Sequence, residues 1–153
     1  MWKYLFAFFL VGLLAFAPQV APAQMSVSEV ALAGDVQDRD PINRFEPDAY
    51  CEKDQSQQAT LPVIDSSLNS EVYVWTRVQS GDDGVLRHTW FMNEDNNWKE
   101  IAAIDLNVYT SPGFRTWSSK QLVPSLHIGE WMVEVSAGDD LSQVLCIMRF
   151  RVS

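Results

Sequence analysis

The chain has 153 residues, 47% of hydrophobic type and 20% charged, a globular composition that excludes a disordered or collagen-like chain. Eleven basic against 20 acidic residues give a net charge of −9, which argues against a nucleic-acid or anionic-membrane partner. Two His and two Cys argue against a structural zinc site, and no sequence motif calls for a metal or cofactor.

Residues 1–23 read as a secretory signal peptide. Lys3 is the only charge, Tyr4–Ala17 holds no charged or strongly polar residue, and Ala21-Pro22-Ala23 offers small residues for cleavage before Gln24. The rival reading, a membrane anchor, needs a longer apolar run than this one. No cysteine lies near the cleavage site, so a lipid anchor is not expected. Losing Lys3 leaves ten basic and 20 acidic residues, a net charge of −10 on residues 24–153. The expectation is one soluble, exported domain, periplasmic or extracellular.

Export bears on Cys51 and Cys146. An oxidising compartment favours a disulfide between them. The alternative is a free Cys146 buried as a small hydrophobe, with Cys51 exposed in a polar segment.

Ser26–Ala33 reads as a first strand. Gly34–Thr60 is rich in Asp, Gln, Arg and Pro and reads as a long polar connection, which Pro41 and Pro47 keep from being helical. From Glu71 onward the period becomes two. Val72, Val74, Thr76 and Val78 alternate with Tyr73, Trp75 and Arg77, and Leu86, His88, Trp90 and Met92 alternate with Arg87, Thr89 and Phe91. The Ser80–Gly84 cluster joins these runs into a hairpin. Further strands are expected at Ile101–Val108, Phe114–Leu122, Trp131–Ser136 and Val144–Val152, each bounded by a polar or Gly/Pro turn. The prediction is an all-β fold: an antiparallel β-sandwich, immunoglobulin-like, of about seven strands.

Catalysis finds little purchase. His88 and His127 are the only imidazoles, and His127 sits in a turn sequence. No nucleophile elbow appears. The acidic pairs Asp82-Asp83, Glu94-Asp95 and Asp139-Asp140 fall in turns, as solvated loop tips do. A hydrolase working through such carboxylates is the least favoured reading, and the protein is expected not to be an enzyme.

The unusual feature is aromatic and basic residues at strand spacing. His88-x-Trp90 and Arg115-x-Trp117 each put two such side chains on one strand face, Ser118-Ser119-Lys120 follows the second, and Trp131 adds an indole. One reading is a ligand face of His88, Trp90, Arg115, Trp117, Ser118, Lys120 and Trp131. The other is core packing, since large aromatics dominate sandwich interiors. Trp98, between Asn97 and Lys99, is the indole expected to be most exposed.

These blocks in order, His88-x-Trp90, Arg115-Thr116-Trp117-Ser118-Ser119-Lys120, Gly129-x-Trp131-x-Val133-x-Val135 and Arg149-Phe150-Arg151-Val152, resemble DUF2914, a bacterial family of exported or membrane-tethered domains of unknown function. The likeness runs over about Val27 to Ser153, and Asp38-Arg39-Asp40-Pro41 resembles that family's first loop. It implies a β-domain of the bacterial envelope and supplies no activity. The functional expectation is a non-catalytic module binding an envelope protein or polysaccharide. The alternative is an assembly subunit docking through a sheet edge or Gly34–Thr60.

Overall fold

A computed structural model describes residues 24–51, 60–137 and 141–153. The expected signal peptide, the end of the polar connection and the Asp139-Asp140 pair lie outside the described residues. Nine strands follow in order: β1 (Ser26–Gln37), β2 (Asp40–Arg44), β3 (Val63–Ile64), β4 (Glu71–Ser80), β5 (Gly84–Glu94), β6 (Asn97–Val108), β7 (Ser111–Gln121), β8 (Gly129–Ala137) and β9 (Gln143–Val152). Among the described residues there is no helix, and so none long and apolar enough to cross a membrane.

The strands form two sheets, β2-β1-β4-β7 and β3-β9-β8-β5-β6. All pairings are antiparallel except β3 with β9. In immunoglobulin terms β1, β4 and β7 take the places of strands A, B and E, and β5, β6, β8 and β9 those of C, C′, F and G. The expected sandwich is therefore present, with nine strands among the described residues instead of about seven.

Period-two alternation builds it. Val72, Val74, Thr76 and Val78 of β4 point inward and are buried, as are Leu86, His88 and Trp90 of β5 and Cys146, Met148, Phe150 and Val152 of β9. Trp131 stacks on Phe150 with centroids 6.2 Å apart, and Trp90 meets the same ring edge-on at 6.3 Å. This aromatic trio is the centre of the core, and truncating any member to Ala is worth about 3–5 kcal/mol.

Gly34–Thr60 departs from expectation. Gly34–Gln37 continue β1, and Asp40–Arg44 return as β2, so the first part of the supposed connection is a hairpin. Its turn residues Asp38 and Arg39 have φ of 49° and 68°, a two-residue turn of the type that matches strand twist. The turn carries no Gly and its strands are largely polar, which is why period and composition hide it. Beyond the hairpin, Cys51 is disulfide-bonded to Cys146 on the inner face of β9, 95 residues away in sequence.

Candidate binding face

The aromatic-basic motif is divided between the two sheets and, on β7, between the two faces of one strand. On β5, His88 and Trp90 point inward and are fully buried. On β7, Thr116 and Ser118 point inward, while Arg115 and Trp117 point outward and stay half-buried. Trp131 is in the core. A single ligand face of all seven predicted residues is therefore absent, because residues of unlike parity on β7 cannot share a face. His88, Trp90, Ser118 and Trp131 are structural.

The buried part forms a polar chain between the sheets. Trp90 Nε1 donates to Ser118 Oγ at 3.1 Å, and Ser118 Oγ lies 2.8 Å from His88 Nδ1. Thr76 Oγ1 is 3.5 Å from His88 Nε2 and donates to the Thr116 carbonyl at 3.2 Å. These bonds assign the tautomer. The Thr76 hydroxyl proton is committed to the Thr116 carbonyl, so Thr76 can only accept from His88 Nε2, and Nδ1 is left to accept the Ser118 hydroxyl proton. Nε2 then carries the imidazole proton and faces Thr76, whose own proton is spent on Thr116. Burial pushes the His88 pKa down to about 3, so the ring is neutral.

At the pole where β7 ends, the Val123 N–H donates to His127 Nδ1 at 2.9 Å, and Trp131 Nε1 donates to the His127 carbonyl at 2.8 Å. Burial and the neighbouring Lys120 hold the His127 pKa below its ordinary value. Lys120 shares the inward parity of Ser118 and so stands apart from Arg115 and Trp117. Trp98 lies on β6, half-buried, with the Arg149 guanidinium 5.8 Å from its ring centroid.

The outward side of β4 and β7 is where exposed chemistry collects. Trp75 pairs directly with Trp117, and the next outward pair is Arg77 with Arg115. Trp75 is nevertheless buried. The β1–β2 turn lies over it: Trp75 Nε1 donates to the Arg39 carbonyl at 2.8 Å. The Arg39 guanidinium donates to the Arg115 carbonyl at 3.0 Å and sits 5.2 Å over the Phe114 ring. Arg115 Nη1 is 2.8 Å from Asp40. Glu29 is shared by Arg44 at 3.1 Å and Arg77 at 3.5 Å, and Arg77 also sits 5.6 Å from the Trp75 ring centroid.

Four arginines (Arg39, Arg44, Arg77 and Arg115) thus share this face with four carboxylates: Glu29 and Asp40, which are ion-paired to them, Glu71, which accepts from Tyr73 and Ser119, and Asp35. No carboxylate among the described residues pairs with Arg39. Sequence reading missed Arg39, Asp40, Trp75 and Arg77 as members of this face. Two of the turn carboxylates are occupied: Asp83 accepts from the Thr110 N–H at 2.7 Å and its hydroxyl at 3.0 Å, and Lys99 reaches Glu94 at 3.3 Å. Among the described residues no group of three or more His, Cys, Asp or Glu converges as metal ligands would.

Comparison with protein families matches DUF2914, "Protein of unknown function (DUF2914)", to residues 83–152. Residues 83–152 belong to the DUF2914 family. The DUF2914 stretch holds β5 to β9 and every motif block quoted above except Asp38–Pro41, which lies with β1 to β4 outside it. Within it fall the buried His88, Trp90, Ser118 and Trp131 and the outward Arg115 and Trp117. No curated protein matches the chain. Among solved structures the chain is similar to the crystal structure of beta-D-glucoside glucohydrolase from Trichoderma reesei, at 10% identity and a TM-score of 0.39, over 86% of this chain and 19% of that one. The chain thus spans about a fifth of that enzyme's length, and a likeness this weak carries no functional argument.

Proposed function

We propose that the protein is a non-catalytic binding module of the bacterial envelope whose contact surface is the outer face of the β2-β1-β4-β7 sheet. The observation that carries this reading is Trp117: a half-buried indole on the outward face of β7, one row from the opposed Arg77 and Arg115. Exposed aromatics beside basic groups suit recognition of a sugar ring or a protein side chain. Both imidazoles are already engaged, His88 in the core and His127 by the Val123 N–H, which favours binding over catalysis.

The Cys51–Cys146 disulfide supports export, since such bonds persist in oxidising compartments. Residues 1–23 would then be removed, giving a periplasmic or extracellular protein. The test is a panel of envelope polysaccharides and proteins immobilised against the purified protein. Binding that is lost in Trp117→Ala, with the unfolding midpoint unchanged, supports the reading. Binding indifferent to Trp117 overturns it.

A further inference from the structure

Resting on the export reading above and going beyond it, we propose that Gln24 is a modification site, at which the exported protein begins as pyroglutamate. The α-amine freed by cleavage after Ala23 attacks the side-chain amide of the same residue and closes a lactam ring.

The fold takes hold one residue further on. Met25 packs against the core, and its methyl group lies so near Gly84 that a Cβ added there would meet it at 2.6 Å. β1 begins at Ser26, which pairs with Gln79 of β4. Gln24 stands ahead of this ladder and is exposed. Among the described residues its side chain has no hydrogen-bond partner, so nothing holds the amide away from its own backbone nitrogen. The Ala21-Pro22-Ala23 signature sets the cut before Gln24, and the anchored Met25 leaves that residue as the first one outside the fold.

The chemistry is contained in one residue. An α-amine titrates near pH ~8, so at neutral pH a fraction of it is the free nucleophile. Its nitrogen bonds to Gln24 Cδ, the Cδ–Nε2 bond breaks, and the amide nitrogen leaves as ammonia with a proton taken from the amine. No oxidant or second reactant is needed, and the two groups are held together by the residue itself.

The surroundings suit the product. Gln24 lines a cavity of about 560 Å³ together with Ser26, Gln79 and Gln143, and no described residue lining it is ionisable. An α-ammonium there meets no counter-charge from the lining. The lactam is neutral, with one N–H and one carbonyl to offer the Gln79 and Gln143 amides.

The experiment expresses the full chain with export in a bacterial host and reads the freshly purified protein by peptide mass spectrometry. The N-terminal peptide should start at Gln24, be lighter than its sequence by one ammonia, and resist amine-labelling reagents. Pyroglutamyl aminopeptidase should remove that residue and expose a labelled amine on Met25. Gln24→Glu should start at the same position and unfold at the same midpoint but keep its amine, because a carboxyl group loses hydroxide far less readily than an amide loses ammonia. A peptide that starts at Gln24 with a free amine as the major species overturns the modification and leaves export standing. A chain that keeps residues 1–23 overturns both. A mature N-terminus at any other residue overturns the proposal.

Discussion

Trp75 and Trp117 are direct partners across the β4–β7 ladder, yet one is buried and the other half-exposed. The difference is the β1–β2 turn, whose Arg39 carbonyl accepts the Trp75 indole N–H at 2.8 Å. Arg39 holds a φ of 68° to do so, a conformation that costs a non-glycine residue about 1 kcal/mol. Its side chain recovers part of that cost on the Arg115 carbonyl and the Phe114 ring.

Loosening the turn should therefore uncover Trp75. In the double variant Arg39→Ala, Asp40→Ala both side-chain ties to Arg115 are gone. Acrylamide quenching of single-Trp variants should then reach Trp75 as well as Trp98 and Trp117. Unchanged protection of Trp75 would mean that packing under the hairpin, and not those ties, seals it.

Ser118 serves two buried partners at once, Trp90 Nε1 and His88 Nδ1. Ser118→Ala leaves both unsatisfied and should cost about 1–3 kcal/mol or more, read from denaturant unfolding. Nitrogen chemical shifts of the His88 ring should report the Nε2–H tautomer in the native protein. A cost near zero would mean that water or another acceptor substitutes.

Burial of His88 makes stability depend on pH with a known sign. The unfolded imidazole takes a proton below its ordinary pKa of 6.5, the folded one only near 3. Between these values the unfolded state binds the extra proton. Stability is therefore complete above 6.5 and falls as the pH drops, by about 1.4 kcal/mol per pH unit at most. His88→Gln should flatten this part of the profile relative to the native protein. Parallel profiles would show that His88 is not the group responsible.

The Cys51–Cys146 bridge closes a loop of 95 residues and ties the segment after β2 to the core. In the chain-entropy account such a loop is worth roughly 4–5 kcal/mol. The Cys51→Ala, Cys146→Ala variant should lose stability of that order, and reduction of the native protein should lower its unfolding midpoint likewise. An unmoved midpoint would show that the segment contributes no constraint.

The sheets were legible because each long strand buries one face. Val72 to Val78 and Cys146 to Val152 write inward and outward residues in strict alternation. β2 and β3 were not, since β2 is polar on an edge and β3 is only Val63 and Ile64. Half of the candidate face was visible in Arg115-x-Trp117. The other half is written as its mirror image, Trp75-x-Arg77. In an antiparallel pair that mirror places Trp on Trp and Arg on Arg, but only once β4 is known to neighbour β7. Assigning His88 and Trp90 to the same face as Arg115 failed for a simpler reason. They lie on the other sheet, and Ser118, which they touch, faces away from Trp117.

The most direct test is to follow the indole N–H resonances of Trp75, Trp90, Trp98, Trp117 and Trp131 while titrating with whichever envelope polysaccharide or protein binds in the immobilised panel. The account predicts that Trp117 shifts and that Trp90 and Trp131, sealed between the sheets, do not. Shifts at Trp90 or Trp131 with Trp117 unmoved would contradict it.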